Sequence, residues 1–255
     1  MNYCGKTDIG RKREGNEDCF RVASLGENAC LFLVCDGMGG VEGGEIASNR
    51  AADAFVAEMR EQAAPKMRDG YLSVCDPETE IPMMLDCAIA SANFAVWDEA
   101  QTNRELHGMG TTLVAALVLR DPLRVFTLNI GDSRVYRIDS EAAHRLTKDH
   151  SYVRYLIDKG EITPKEAESR TDKNIITRAV GISVNAQADI AEAAVSAGDM
   201  LLLCSDGLYG MLTDDEIHGV ATFDGASLEK KTERLVELAN NAGGDDNITV
   251  LTVEL

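Results

Sequence analysis

The chain has 255 residues, 45% of them hydrophobic, and its 43 acidic against 25 basic residues give a net charge of −18. Such a field repels nucleic acid and anionic membrane surfaces, so neither is an expected partner. No apolar stretch approaches the roughly 20 residues a membrane helix needs, and Met1–Asp8 lacks the basic-then-apolar pattern of a signal peptide.

The length suits one large core, and no composition break, linker or repeat divides the chain, so a single domain over 1–255 is expected. Seven cysteines is an odd count, with no Cys-x-x-Cys spacing, and Cys35 and Cys204 sit inside apolar runs. Reduced, buried thiols in a cytoplasmic protein are the economical reading.

In chain order, Ala29–Cys35 is a continuous apolar run that stops at Asp36-Gly37, the pattern of a buried strand ending in a turn. A helix is predicted from about Gly43 to Arg60, with Ile46, Ala47, Ala51, Ala54 and Phe55 facing inward. A second is carried by Leu85, Ala88, Ile89, Ala92 and Val96 at helical spacing. Two apolar runs, Thr111–Leu119 and Arg124–Ile130, meet at an Asp121-Pro122 turn. Gly131-Asp132 then links Ile130 to Val135–Ile138, which reads as a hairpin. Asp149-His150-Ser151 opens a helix, and Thr163-Pro164-Lys165-Glu166 and Thr213-Asp214-Asp215-Glu216 carry capping-box chemistry. Met200–Cys204 is another buried strand ending at Ser205-Asp206-Gly207. Leu228, Leu235, Val236 and Ala239 mark a helix, and Ile248–Leu255 closes the chain as a strand. Helices packed outside antiparallel sheets, an α+β fold, are expected.

The aspartates fall at informative places: Asp36 and Asp206 after buried strands, Asp132 in a turn, Asp246 just before the last strand, and Asn16-Glu17-Asp18 ahead of Cys19–Val22. Acids in turns commonly cap local backbone groups, and for any single Asp-Gly that is the better explanation. Five such sites on rigid scaffold point further, because carboxylates meeting in one place repel one another without cations. An all-oxygen ligand set selects hard ions such as Mg2+ or Mn2+ over zinc. None of His107, His144, His150 and His218 has a metal-ligand partner at helical spacing. Paired hard ions suit hydrolysis at phosphorus, and Arg13, just before the acidic cluster, could grip phosphate oxygens. Gly5-Lys6-Thr7 has no room upstream for a Walker A loop, and the glycines at 37–40 do not complete a dinucleotide fingerprint.

These motifs together resemble the metal-dependent protein phosphatase family, the type 2C serine/threonine phosphatases. The matching pieces are Arg13-Glu14-Gly15-Asn16-Glu17-Asp18, Asp36-Gly37-Met38-Gly39-Gly40, Gly110-Thr111-Thr112, Gly131-Asp132-Ser133-Arg134, Asp149-His150-Ser151, Ile176-Thr177-Arg178-Ala179, Ser205-Asp206-Gly207-Leu208 and Asp245-Asp246-Asn247-Ile248-Thr249-Val250, in the family's order along nearly the whole chain. The resemblance implies a four-layer αββα sandwich, two antiparallel sheets flanked by helices. It implies hydrolysis of phosphoserine and phosphothreonine by attack of a metal-bridging hydroxide on phosphorus. It implies two Mn2+ or Mg2+ ions, with Asp36 bridging them, Gly37 offering its carbonyl, and Asp206 and Asp246 completing the direct ligands. Glu17 and Asp18 would hold metal or its waters, Arg13 would bind phosphate, and Asp132 would help hold a third, weaker ion. About Ser151 to Asn174 resembles the family's flap beside the active site.

Two departures matter. Met38 stands where some relatives carry a histidine that protonates the leaving group, so that proton must come from a metal-bound water or elsewhere. Gly210 stands where relatives often have an acid, which weakens the third metal site. The expected partners are phosphoproteins, with a serine/threonine kinase and its targets among them, and the expected state is a monomer. A non-catalytic phosphoprotein binder is disfavoured by intact Asp36, Asp206 and Asp246. A metal-dependent nuclease is disfavoured by the negative charge.

Overall fold

The computed structural model describes residues 1–40, 42–168, 170, 172 and 174–255, apart from the side chain of residue 168. The strands are β1 (Asn2–Asp8), β2 (Asp18–Ser24), β3 (Ala29–Met38), β4 (Met67–Arg68), β5 (Tyr71–Leu72), β6 (Gly110–Thr111), β7 (Leu113–Arg120), β8 (Leu123–Ile130), β9 (Arg134–Ile138), β10 (Ala143–Arg145), β11 (Asp189–Ala193), β12 (Met200–Cys204) and β13 (Ile248–Glu254). The helices are α1 (Gly43–Ala63), α2 (Pro77–Thr102), α3 (Tyr152–Asp158), α4 (Pro164–Glu168), α5 (Asp206–Tyr209), α6 (Asp214–Ala221) and α7 (Leu228–Asn241).

Two antiparallel sheets carry the molecule. One has the order β1-β13-β12-β9-β10 and the other β11-β8-β7-β3-β2, with β6 paired to the end of β3. The long apolar runs are explained by burial on both strand faces, because successive side chains alternate between two hydrophobic layers. Along β3, Leu31, Leu33 and Cys35 pack beneath α1 and α2, while Phe32 and Val34 face the opposite sheet. Along β12, Leu202 and Cys204 pack toward α7, while Leu201 and Leu203 face inward between the sheets. The α1 stripe of Ala47, Ala51, Phe55 and Met59 and the α2 stripe of Leu85, Ala88, Ile89, Ala92 and Val96 cover one outer face. Helix α7 covers the other through Leu235, Val236 and Ala239. The layer order is helix, sheet, sheet, helix, as the motifs imply.

The inward register changes character at one end of the sandwich. Two residues beyond Val34, Phe20, Val114, Val135, Leu203 and Leu251 stand Asp36, Asp18, Thr112, Ser133, Ser205 and Thr249. The polar residues satisfy one another: Thr112 Oγ1 lies 2.7 Å from Ser133 Oγ, and Ser205 Oγ donates to Asp18 Oδ2 at 2.6 Å. The apolar layer between the sheets therefore ends in a polar, carboxylate-bearing edge.

Two expectations are corrected. Strand β3 does not stop at Asp36; it continues through Gly37 and Met38, which pair with Thr111 and Gly110 of β6. Asp36 is thus fixed inside a ladder rather than in a turn. Ile130 and Val135 do not form a hairpin, because β8 already pairs with β7 on one edge and β11 on the other. Gly131, at φ +110°, with Asp132 and Ser133, carries the chain across to the second sheet, where β9 pairs with β12 and β10. A side chain at 131 would meet that of Thr112, so glycine is required there on two counts. Asp132 consequently lies between the sheets.

Both capping boxes form, Thr163 with Glu166 and Thr213 with Glu216. Of the flap expected over about Ser151 to Asn174, Ser169, Thr171 and Lys173 lie outside the described residues. All seven cysteines are free, and no helix among the described residues is long and apolar enough to cross a membrane.

Gly37 packs so tightly that a Cβ would collide with the backbone oxygens of Gly44 and Glu17. Gly37→Ala is expected to cost about 3 kcal/mol, the scale of overpacking against backbone. Thermal or urea denaturation of the variant measures it.

Candidate active site

Arg13, Glu17, Asp36, Gly37, Asp132, Asp206 and Asp246 line one cavity of about 320 Å³ at the polar end of the sandwich, together with Met38, Thr112, Asn174 and Ile176. They arrive from five places in the chain: the β1–β2 loop, the end of β3, the crossing between sheets, the end of β12 and the α7–β13 connection. Asp18 does not line the cavity. It stands opposite Asp36 in the β2–β3 register, buried behind the wall and held by Ser205.

Each carboxylate is positioned by a short local network. Asp36 is fixed through its backbone, whose N–H donates to Thr112 Oγ1 at 3.0 Å and whose carbonyl accepts from Thr111 Oγ1 at 2.9 Å. Asn247 clamps the Arg13–Glu17 loop onto the start of β13: its side-chain oxygen accepts from Glu17 N–H, and its amide donates to Ile9 and Gly15 carbonyls. Glu17 packs against the N-terminal turn of α1, accepting from the Gly44 N–H. Arg13 Nη2 donates to Asp246 Oδ2 at 2.7 Å. Sequence reasoning did not single out Thr112, Asn247 or Ser205 as supports. A signal was present for Ser205 and Asn247, each beside an acid of the site, whereas Thr112 has no acid next to it in the chain.

The electrostatics follow from crowding. Burial pushes the Asp36 carboxyl well above its ordinary range, and repulsion from Asp18, Asp206, Asp132 and Asp246 adds to it. Burial, then Asp206 and Asp149, raises Asp132 to about 7. Burial, then Asp246, raises Asp206 to about 6, although the Asp36 carboxyl lies within hydrogen-bonding reach of it. Glu17 is raised as well, chiefly by burial. Among the described residues these side chains do not close into a ready ligand set of three or more; Asp246 is turned onto Arg13 and Asp18 onto Ser205. Asp18 Oδ1 and Asp206 Oδ1 are nevertheless buried with no hydrogen-bond partner among the described residues. Unpartnered carboxylate oxygens on groups whose pKa is raised by burial and then by mutual repulsion fit hard divalent cations, which would supply both the missing partner and the missing charge.

A protein phosphatase 2C family profile matches residues 5–248. The chain belongs to the protein phosphatase 2C family. It is similar to the protein phosphatase PhpP of Streptococcus pneumoniae, with 38% identity over 98% of this chain and 95% of that one. It is similar in structure to the S. agalactiae serine/threonine phosphatase, with a TM-score of 0.87 and 31% identity over 100% of this chain and 99% of that one. It is also similar to the catalytic domain of the serine/threonine protein phosphatase PstP, solved in complex with two manganese ions, with a TM-score of 0.76 and 33% identity over 98% and 96% of the two chains. The family is metal-dependent.

A carboxyl whose pKa is raised on folding binds its proton more tightly folded than unfolded. The metal-free protein therefore loses stability as pH rises from the ordinary aspartate value, near 4, through about 7 for Asp132 and about 6 for Asp206. Added Mn2+ is expected to raise the Tm more at about pH 8 than at about pH 5, and Asp132→Asn to reduce that difference. Thermal unfolding with chelator and with Mn2+ at the two pH values checks it.

Proposed function

We infer that this chain is a metal-dependent protein serine/threonine phosphatase, a phosphomonoester hydrolase acting on phosphoserine and phosphothreonine of other proteins. The observation that carries the reading is the meeting of Asp36, Asp132, Asp206, Asp246, Glu17 and Arg13 around one cavity. Two ions, Mn2+ or Mg2+, would be held by Asp36 shared between them, the Gly37 carbonyl, Asp206 and Asp246. Glu17 and Asp18 would act on the ions or on their waters, and Asp132 would take part in a third, weaker site. When bound, these cations activate water and offset the charge that gathers on the phosphoryl oxygens.

The protein's own groups supply the rest. Arg13 exchanges its pairing with Asp246 for the phosphate, gripping two oxygens and orienting phosphorus toward the acidic wall. Thr111 and Thr112 hold the Asp36 backbone, so its carboxylate needs little reorganisation during turnover. Ser205 and Thr249 stiffen the floor on which Asp18 sits. Met38 lines the cavity and has no proton to give, so the departing serine or threonine oxygen is protonated by another group. The free cysteines suit a cytoplasmic location, and phosphoproteins, a serine/threonine kinase and its targets among them, are the partners proposed for a monomeric single domain.

The chain should hydrolyse p-nitrophenyl phosphate and phosphothreonine peptides with Mn2+ or Mg2+, and chelator should abolish turnover. Turnover of phosphodiesters but not phosphomonoesters would overturn the reading. Asp36→Asn is expected to lower kcat by at least about a thousandfold with the fold kept, by loss of metal-based charge stabilisation. Arg13→Ala should mainly raise KM, by about tenfold, the share of one charged phosphate contact. Steady-state kinetics and circular dichroism of both variants decide the assignment.

A further inference from the structure

Helix α5 is a single turn, Asp206–Tyr209, and its preceding residue Ser205 makes no side-chain cap, because the Ser205 hydroxyl is spent on Asp18. One turn has little intrinsic stability, so its orientation must be imposed by tertiary contacts. Asp206 and Tyr209 are three residues apart and share a helix face, so whatever holds the Tyr209 ring also fixes the rotation at which Asp206 leaves the helix.

The ring is held firmly. Arg134 places its guanidinium carbon 3.4 Å from the Tyr209 ring centroid. That guanidinium is itself locked by a two-point pairing to Asp149, Nε to Oδ1 at 3.1 Å and Nη2 to Oδ2 at 2.7 Å, and by Nη1 donating to Tyr136 Oη at 2.9 Å. Fixed in this way, Tyr209 Oη donates to the main-chain carbonyl of Asp132 at 3.0 Å. The hydrogen bond ties α5 to the crossing between the sheets, which are otherwise separate segments of chain. Both ends of the tie carry a cavity carboxylate, and residue 210, a glycine, brings no carboxylate of its own.

Resting on the phosphatase reading, we propose that Tyr209, clamped by Arg134, is a positioning residue that sets the placement of Asp132 relative to Asp206 and so governs the weakest cation site of the enzyme. Tyr209 does not line the cavity, and its hydroxyl acts through the main chain of Asp132. With no acid at position 210, the geometry of those two aspartates is what that site has to work with.

The test uses Tyr209→Phe, which keeps the ring and its contact with Arg134 and removes only the hydroxyl. Mn2+ binding without substrate is followed by electron paramagnetic resonance of the free ion, alongside the Mn2+ dependence of phosphopeptide turnover. The weakest binding step and the Mn2+ concentration for half-maximal rate should both rise by about tenfold, the scale of one hydrogen bond to a group that must stay placed. Phosphopeptide KM at saturating Mn2+ should match the wild type, and the Tm in chelator should fall by no more than a few degrees, the scale of one lost hydrogen bond. In an Asp132→Asn background the same change should add nothing, because the main-chain tie is kept but the carboxylate it positions is already lost. An unaltered Mn2+ titration, a loss of Tm alone, or equal losses in both backgrounds would overturn the proposal. Wild-type protein without Mn2+-dependent turnover would instead overturn the phosphatase reading on which it rests.

Discussion

Asp18 and Asp36 stand opposite one another on paired strands, and Asp132, Asp206 and Asp246 reach the same end of the sandwich from other segments. Two like charges about 4 Å apart repel by about 4 kcal/mol at an effective dielectric of about 20. Set against the 5–15 kcal/mol or so that stabilises a typical domain, a group of that kind cannot stay fully ionised on scaffold rigidity alone. It holds protons, as the raised Asp132 and Asp206 show, or it holds cations. The rest of the site follows from that choice: the arginine that partners Asp246, the hydroxyl that partners Asp18, and the two carboxylate oxygens left without a partner.

The fold makes this arrangement reproducible rather than accidental. The space between the sheets is filled by Phe32, Val34, Val114, Leu201, Leu203 and Leu251, and each of their strands continues two residues further to a polar side chain. A strand buried on both faces has few ways to slip in register, so the polar ends are held to the same depth on both sheets. Close approaches at Gly37 and Gly131 bring the backbone of β3 and the inter-sheet crossing near enough for the carboxylates to share one cavity. The strands divide along their length: apolar positions hold the layers together, and the polar positions at one end form the acidic edge beside the cavity.

Much of this was legible in the residues. Ala29–Cys35 and Met200–Cys204 announce buried strands by their continuous apolar character, and the acids at their ends stand out because nothing else there is charged. Seven of the eight residues expected at the site line the cavity, and Asp18 sits directly behind it. Pairing across the molecule was not legible. A short Gly-Asp link between apolar runs looks the same whether it closes a hairpin or crosses between sheets, because the difference lies in whether the edge of β8 is already occupied by β11, about 60 residues later in the chain. The extension of β3 past Asp36 was hidden for the same reason, since its partner β6 lies beyond two helices. The clamp of Arg134 on Tyr209 joins segments about 75 residues apart, and neither side chain carries a local pattern that names its partner.

Anomalous diffraction at the manganese edge, from crystals equilibrated with Mn2+, tests the central claim most directly. Peaks flanking the Asp36 carboxylate, with Asp206 and Asp246 as further ligands, are the predicted result. A cavity without manganese at saturating concentration, or manganese bound only elsewhere on the acidic surface, would contradict the account.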